Sequence, residues 1–136
     1  IRIVSGGTTS QIVARELGVE VKSSTEIYDK EVPPIAYIQG VDLVTEGVLT
    51  LSKTIDRLKS LSKSLDSDIF KAKDGASQMA KLLYSASHIK LLVGRSLNIA
   101  NAESSFQRDL ELRLHVIGEL EKILVKLGKI VTVEYY

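Results

Sequence analysis

The stretch Ile1–Arg15, IRIVSGGTTSQIVAR, joins a short apolar strand to a helix through a turn of small residues. Ile1–Val4 has the β-branched character of a strand, and a helical apolar pattern begins directly after the turn. Glycines let a backbone turn sharply and approach a ligand closely, and free N–H groups at a helix start attract anions. The sequence therefore predicts an anion-binding turn formed by Ser5, Gly6, Gly7, Thr8 and Thr9.

Two well-known phosphate motifs do not describe this turn. A Walker loop needs a lysine after its glycines, and a dinucleotide fingerprint needs the spacing GxGxxG; the turn has neither. A second interpretation stays open, in which the segment is only a tight strand-to-helix turn. In either case the hydroxyl of Thr8 or Thr9 is expected to cap the helix.

The composition is that of one globular domain. The chain has 136 residues, of which 44% are hydrophobic, and its 18 basic and 17 acidic residues leave a net charge of +1. A core of ordinary size fits this length, and the mixed charges argue against a nucleic-acid partner. No apolar run reaches the ~20 residues that span a bilayer, so no membrane partner is expected. The absence of cysteine excludes disulfides and thiolate chemistry.

Strand and helix patterns alternate along the chain, which predicts an α/β fold: a layered, mostly parallel sheet of about four to five strands flanked by helices. His88–Val93 is a compact apolar run, typical of a buried strand. The other predicted elements are strands at Val19–Lys22, Val41–Val44 and Lys129–Tyr136, a loop around Pro33 and Pro34, and helices from about Glu46, from the cap Asp74 and over Arg108–Leu127.

A second candidate binding segment follows the strand His88–Val93. In open α/β sheets ligands gather where the parallel strands end. If this strand and the first one are parallel neighbours in one sheet, Gly94, Arg95 and Asn98 lie on the same rim as the glycine turn. Arg95 would then clamp a phosphate or carboxylate, and Asn98 would add hydrogen bonds. The alternative is a surface ion pair and a turn-closing asparagine.

Two acidic residues stand four positions apart, Asp42 and Glu46. On one helix face they could hold a divalent cation, but a strand boundary between them removes that meaning. Glu46 at a helix start is favourable through the helix dipole alone, and it is also a candidate ligand-binding residue beside the turn. His88 and His115 have no serine or carboxylate partner in the sequence, so no catalytic residue is assigned.

Several segments together resemble one protein family. They are Ser5–Thr9 with Ile12–Arg15, Pro33–Pro34, Gly40–Leu51 (GVDLVTEGVLTL), Asp74–Ala76, Val93–Arg95 with Asn98 and Ala100, and Leu127–Lys129 with Val131 and Val133. This pattern resembles the C-terminal part of SpoIIE-family, PP2C-like bacterial serine/threonine phosphatases. The resemblance covers nearly the whole chain, and its GGTT and DLVTEG blocks are the most distinctive.

The resemblance implies a cytoplasmic signalling protein whose N-terminal phosphatase core holds manganese or magnesium. The aspartates that bind those metals would lie upstream, and Glu46 stands where a late PP2C motif has its aspartate. We therefore expect residues 1–136 to be a single domain, the C-terminal fragment of a longer chain, without a cofactor or catalysis of its own. The core and a small anionic ligand would be its partners, and a homo-oligomer is possible.

Two alternatives to this accessory role remain open. The chain could be a small enzyme acting on a phosphorylated or carboxylated metabolite, with Arg95 and the glycine turn holding the anion. It could instead be an oligomerisation or partner-docking module that uses its last helix and the Pro33–Pro34 loop.

Overall fold

The computed structural model describes residues 1–65, 67–95 and 103–136. The chain order of the elements in these ranges is β1 (Ile3–Ser5), α1 (Gly7–Leu17), β2 (Lys22–Ser23), β3 (Ala36–Tyr37), β4 (Leu43–Thr45), α2 (Val48–Lys63), α3 (Ser67–Lys71), α4 (Gly75–Ser85), β5 (His88–Val93), α5 (Glu103–Lys126) and β6 (Ile130–Tyr135). The mixture of helices and strands confirms the predicted α/β class.

The strands form two sheets. The first has the order β1-β4-β3-β2, in which β1 and β4 are parallel and pair Ile3 with Leu43, whereas β3 is antiparallel to both of its neighbours. The second sheet holds β5 and β6, which are parallel with His88 opposite Ile130. The first sheet is therefore mixed, and the second is a separate parallel pair.

The prediction of one mostly parallel sheet was wrong in this respect, and the reason lies in the segment around Pro33 and Pro34. Proline lacks a backbone N–H, so the loop there cannot continue a ladder. The chain returns as the two-residue strand β3, which pairs antiparallel with β2 and β4. The strand expected over Val19–Lys22 is correspondingly short, since only Lys22–Ser23 is paired.

The strand β4 separates the two parts of the hydrophobic core. Its successive side chains point to opposite faces of the sheet. Leu43 joins the larger cluster, which contains the fully buried Leu58 of α2, Met79 of α4 and Leu124 of α5. Val44 joins a smaller cluster on the other side, with Ala14 of α1. Because helices cover both of its faces, β4 is the most enclosed strand of the first sheet.

Of two local predictions, the Asp74 cap was confirmed, whereas the burial of the strand His88–Val93 was not. Asp74 caps α4 as expected, since its Oδ2 accepts a hydrogen bond from the Ser77 backbone N–H at 3.0 Å. The strand His88–Val93 has the predicted bounds but is not buried on both sides, because its side chains alternate and Leu92 is 63% exposed. The apolar run therefore belongs to a sheet that helix α5 covers on one face only.

Candidate functional site

The glycine turn after β1 lies beside a second glycine turn, and no local sequence pattern indicates that the two are neighbours. The strands β1 and β4 are parallel neighbours, and each leads directly into a helix. The Gly6 N–H donates to the carbonyl of Thr45 at 3.0 Å, and a Cβ built on Gly47 would lie 3.6 Å from the Gly6 Cα. The N-termini of α1 and α2 therefore begin side by side at one edge of the sheet.

The N-cap of each helix is a glycine with backbone angles that other residues rarely adopt. Gly6 has φ 115° and ψ 136°, and Gly47 has φ 154° and ψ −130°. L-residues with a side chain rarely adopt such angles. Within the described ranges no side chain forms a cap hydrogen bond at either position, and neither helix has an acidic residue in its first turn. The first-turn N–H groups therefore remain available to an acceptor from outside the chain.

The expected threonine cap of α1 is thus wrong. The helix begins at Gly7, so Thr8 and Thr9 lie inside its first turn, where both are exposed. A capping side chain must precede the helix, because its oxygen reaches N–H groups two or three residues further on. The two threonines instead offer hydroxyls at the surface of the turn.

The deeper hydroxyl groups of the turn bond to its own backbone and strands. The Thr45 hydroxyl donates to Ser5 Oγ at 3.1 Å and so links the ends of the two parallel strands. The Ser10 hydroxyl donates to the Gly6 carbonyl at 2.6 Å. These bonds hold the two turns in position, whereas the exposed hydroxyls of Thr8 and Thr9 form no such bond with the residues that the structure describes.

One buried hydroxyl in this region lacks a hydrogen bond. Thr50 lies in the first turn of α2 and is fully buried, and its Oγ1 is the buried side-chain polar atom without a partner among the described residues. Burying a hydroxyl without a partner costs free energy. Its methyl side faces α4, since the Thr50 Cγ2 is 3.6 Å from a Cβ built on Gly75. No pattern in the sequence indicates this atom.

Glu46 is exposed and directly precedes the glycine that starts α2. Asp42 lies at the opposite end of β4, where its Oδ2 accepts a hydrogen bond from the Arg2 backbone N–H at 2.7 Å. Because β4 lies between Asp42 and Glu46, the two carboxylates do not share a helix face. In the described ranges no group of three acidic, histidine or cysteine side chains could hold a metal ion.

The second candidate segment belongs to the other sheet. Gly94 and Arg95 follow β5, and the Arg95 guanidinium carbon lies 5.6 Å from the centroid of the Tyr135 ring. The common rim required β1 and β5 to share a sheet, which they do not. Asn98 lies outside the described residues. The structure therefore brings Ser5–Thr9 together with Glu46, and the ligand-binding role of Gly94, Arg95 and Asn98 stays a prediction.

A polar cluster next to the loop that contains Pro33 and Pro34 was not predicted from the sequence. Arg57 of α2 donates to Ser77 Oγ at 2.8 Å and to Asp29 Oδ2 at 2.9 Å, and it lies 3.4 Å from Asp74 Oδ2. Asp74 is buried and also caps α4, so its carboxylate is satisfied twice. The cluster joins α2, α4 and the loop, which is a structural task. Only the Asp74 cap was visible in the sequence.

Comparison with protein-family models, with curated proteins and with solved structures finds no match for this chain. Within the ranges that the structure describes, no helix is both long and apolar enough to cross a membrane.

Proposed function

We propose that this chain is the C-terminal accessory domain of a SpoIIE-like, PP2C-type serine/threonine phosphatase, and that it binds a small anionic ligand at the paired N-termini of α1 and α2. The first part rests on the sequence resemblance, whose two most distinctive blocks contain the turns at Gly6 and Gly47. The second part rests on one observation, the contact of two glycine-started helices that both lack a side-chain cap.

The chemistry of the paired turns favours a phosphate or carboxylate group. Each helix end carries about half a positive charge, and its first-turn N–H groups point out of the helix. Two such ends side by side add their potentials over one small area. The exposed hydroxyls of Thr8 and Thr9 can donate to the same ligand, and the Glu46 carboxylate can accept a hydrogen bond from a hydroxyl or amine beside the anionic group.

The proposal assigns no catalysis to this chain. By the resemblance, the aspartates that bind manganese or magnesium belong to an N-terminal core in the same cytoplasmic protein. That core would activate a water for attack on the phosphate. The domain described here would act as a sensor or support for that core, with the ligand at the two glycine turns.

The anion site can be tested by titrating the chain with inorganic phosphate and measuring the NMR chemical shifts of its backbone amides. We expect saturable shifts at Gly7, Thr8 and Thr9, and also at Val48 and Leu49 across the second turn. Shifts confined to other surfaces, or an absence of saturable shifts, would refute the site.

A pair of variants at Gly7 provides the matched control, because a Cβ at this position meets open space. Gly7→Asp places a carboxylate in the first turn, where it occupies the positive helix end and repels an incoming anion. We expect it to weaken phosphate binding at least about tenfold, since the charge interaction exceeds ~1.4 kcal/mol at short range. Gly7→Ala should bind as the unmodified chain does. Equal affinity of both variants would contradict the proposal.

The accessory role has a separate test. The chain, incubated with manganese and an aryl phosphate substrate, is expected to show no turnover above the metal alone. Robust metal-dependent turnover would overturn the non-catalytic assignment, whereas the phosphate-binding result would stand or fall independently.

A further inference from the structure

The edge of strand β6 carries a row of backbone groups that have no partner within the described chain. The β5–β6 ladder includes bonds from the Ile130 N–H to the Ser87 carbonyl and from the Tyr136 N–H to the Val93 carbonyl. Backbone groups of successive strand residues point to opposite sides. The even-numbered residues of β6 therefore face β5, and Val131, Val133 and Tyr135 direct their N–H and C=O groups away from it.

This free edge has few of the features by which proteins prevent edge pairing. Charged side chains, proline and bulges commonly protect such edges, lysine above all. The segment Ile130–Tyr136 has no glycine, no proline and no lysine, and its one charged residue is Glu134. The outer edge of β5, in contrast, is formed by His88, Lys90 and Leu92. The β6 edge is thus the better pairing surface of this sheet.

We propose that a second copy of this chain pairs with this edge, β6 against β6 in antiparallel orientation, with Val133 opposite Val133 of the second copy. The two sheets then join into one four-stranded sheet with the order β5-β6-β6-β5. This inference is independent of the proposed anion site.

The register follows from the side chains that it brings together. With Val133 at the centre, Ile130 faces Tyr136 and Val131 faces Tyr135, so that a β-branched residue meets an aromatic ring at four places in the dimer. Three of these residues are well exposed in the single chain: Ile130 at 60%, Tyr135 at 47% and Tyr136 at 68%. Pairing therefore covers apolar surface as well as backbone groups.

Charge decides against the neighbouring registers. In the proposed register each Glu134 faces Thr132 of the other copy, and no like charges are opposite. A shift by one pair in one direction places Glu134 opposite Glu134, which is destabilising. The opposite shift places Glu134 against Ile130 and leaves Tyr136 without a cross-strand residue. The central position of Val133 is thus the arrangement that satisfies both charge and apolar contact.

The pairing can be measured by sedimentation equilibrium and by amide hydrogen exchange over a range of concentrations. We expect the mass to rise from that of one chain toward twice that value. In parallel, exchange should slow at Val131, Val133 and Tyr135 but not at His88, Lys90 and Leu92. A mass that stays monomeric at every concentration, or slowing at the β5 edge instead, would overturn the proposal.

Variants at the exposed Thr132 separate pairing from folding. Within one chain Thr132 is the partner of Lys90, whereas in the proposed dimer it faces Glu134. Thr132→Glu is therefore favourable within the chain and repulsive between copies, and Thr132→Lys has the reverse effects. We expect Thr132→Glu to weaken association about tenfold, because the repulsive pair occurs twice, and Thr132→Lys to retain or strengthen it. His88→Glu, a similar charge on the other strand, should leave association unchanged. The opposite order of the two Thr132 variants would refute the register.

Discussion

Gly47 lies directly against Gly6: a Cβ built on Gly47 would be 3.6 Å from the Gly6 Cα, although the two residues are 41 positions apart in the chain. The contact brings two helix starts together at the ends of two parallel strands. Ser5 and Thr45 reinforce it from below, since their hydroxyls form a hydrogen bond of 3.1 Å across the same two strand ends. The geometry of the candidate anion site depends on this one approach.

Replacing Gly47 with alanine tests this geometry. At φ 154° a Cβ strains the backbone, and we expect Gly47→Ala to lower the free energy of unfolding by about 1–3 kcal/mol. Urea denaturation measures the change. Gly7→Ala is the control, because Gly7 has open space around a Cβ and lies in the helix; alanine there should stabilise by about 0.5–1 kcal/mol. A neutral Gly47→Ala variant would show that the turn tolerates another conformation.

Two buried threonines on α2 should respond to valine with opposite signs. Thr50 and Thr54 are both fully buried, one helical turn apart. The Thr54 hydroxyl donates to the Thr50 carbonyl at 2.8 Å, whereas the Thr50 hydroxyl has no partner in the part of the chain that the structure describes. We expect Thr50→Val to stabilise the fold by about 1 kcal/mol and Thr54→Val to destabilise it by a similar amount. Thermal or urea unfolding decides; destabilisation by both variants would mean that Thr50 has a hydrogen-bonding role.

Two cationic side chains of α2, Lys53 and Arg57, pair with carboxylates of the same loop, yet removing them should change the stability of the fold by different amounts. Arg57 is 20% exposed and pairs with Asp29 and the buried Asp74. Arg57→Met leaves that buried carboxylate without its cation, and we expect a loss of about 2–3 kcal/mol in the free energy of unfolding. Lys53 pairs with the exposed Glu31, so Lys53→Met should change stability by less than about 0.5 kcal/mol. Similar losses in both variants would contradict this division.

The carboxyl group of Glu134 should titrate below its ordinary value of 4.5. The Tyr136 hydroxyl, which donates to it at 2.5 Å, and the Lys90 ammonium at 2.9 Å together lower the pKa of Glu134. A pKa that is lower in the folded chain than in the unfolded chain contributes stability above the ordinary value. That contribution disappears as the pH falls through the lowered pKa. An NMR titration of the carboxyl carbon measures the shift directly.

Tyr136→Phe removes the larger cause of this shift and should move the pKa of Glu134 upward toward 4.5. Tyr28→Phe is the matched control, because the Tyr28 hydroxyl bonds to Glu26 instead. If both variants leave the pKa of Glu134 unchanged, the hydrogen bond to Tyr136 is not formed in solution.

The site was predictable from the sequence in its parts but not in its assembly. The glycines and hydroxyl residues of Ser5–Thr9 predicted a strand-to-helix turn, and the structure has that turn. The second helix was expected from about Glu46, and in the structure it begins at Val48 with Gly47 as its N-cap. No periodicity reports that β1 and β4 become neighbours, because that pairing is decided by burial on both faces of β4. For the same reason the sequence could not show that Arg95 and the glycine turn belong to different sheets, because strands of one sheet and strands of two sheets have the same local patterns.

By itself the sequence determined part of the local backbone: the strand-to-helix turn at Ser5–Thr9, the Asp74 cap of α4, the interruption of pairing at the prolines, and the alternation of strands and helices. These features depend on a few adjacent residues and their allowed dihedral angles. The tertiary structure alone decided that β3 returns antiparallel, that β5 and β6 form their own sheet with an open edge, and that Gly6 touches Gly47. Those outcomes depend on which apolar faces can be buried together, and that choice is made by the whole chain at once.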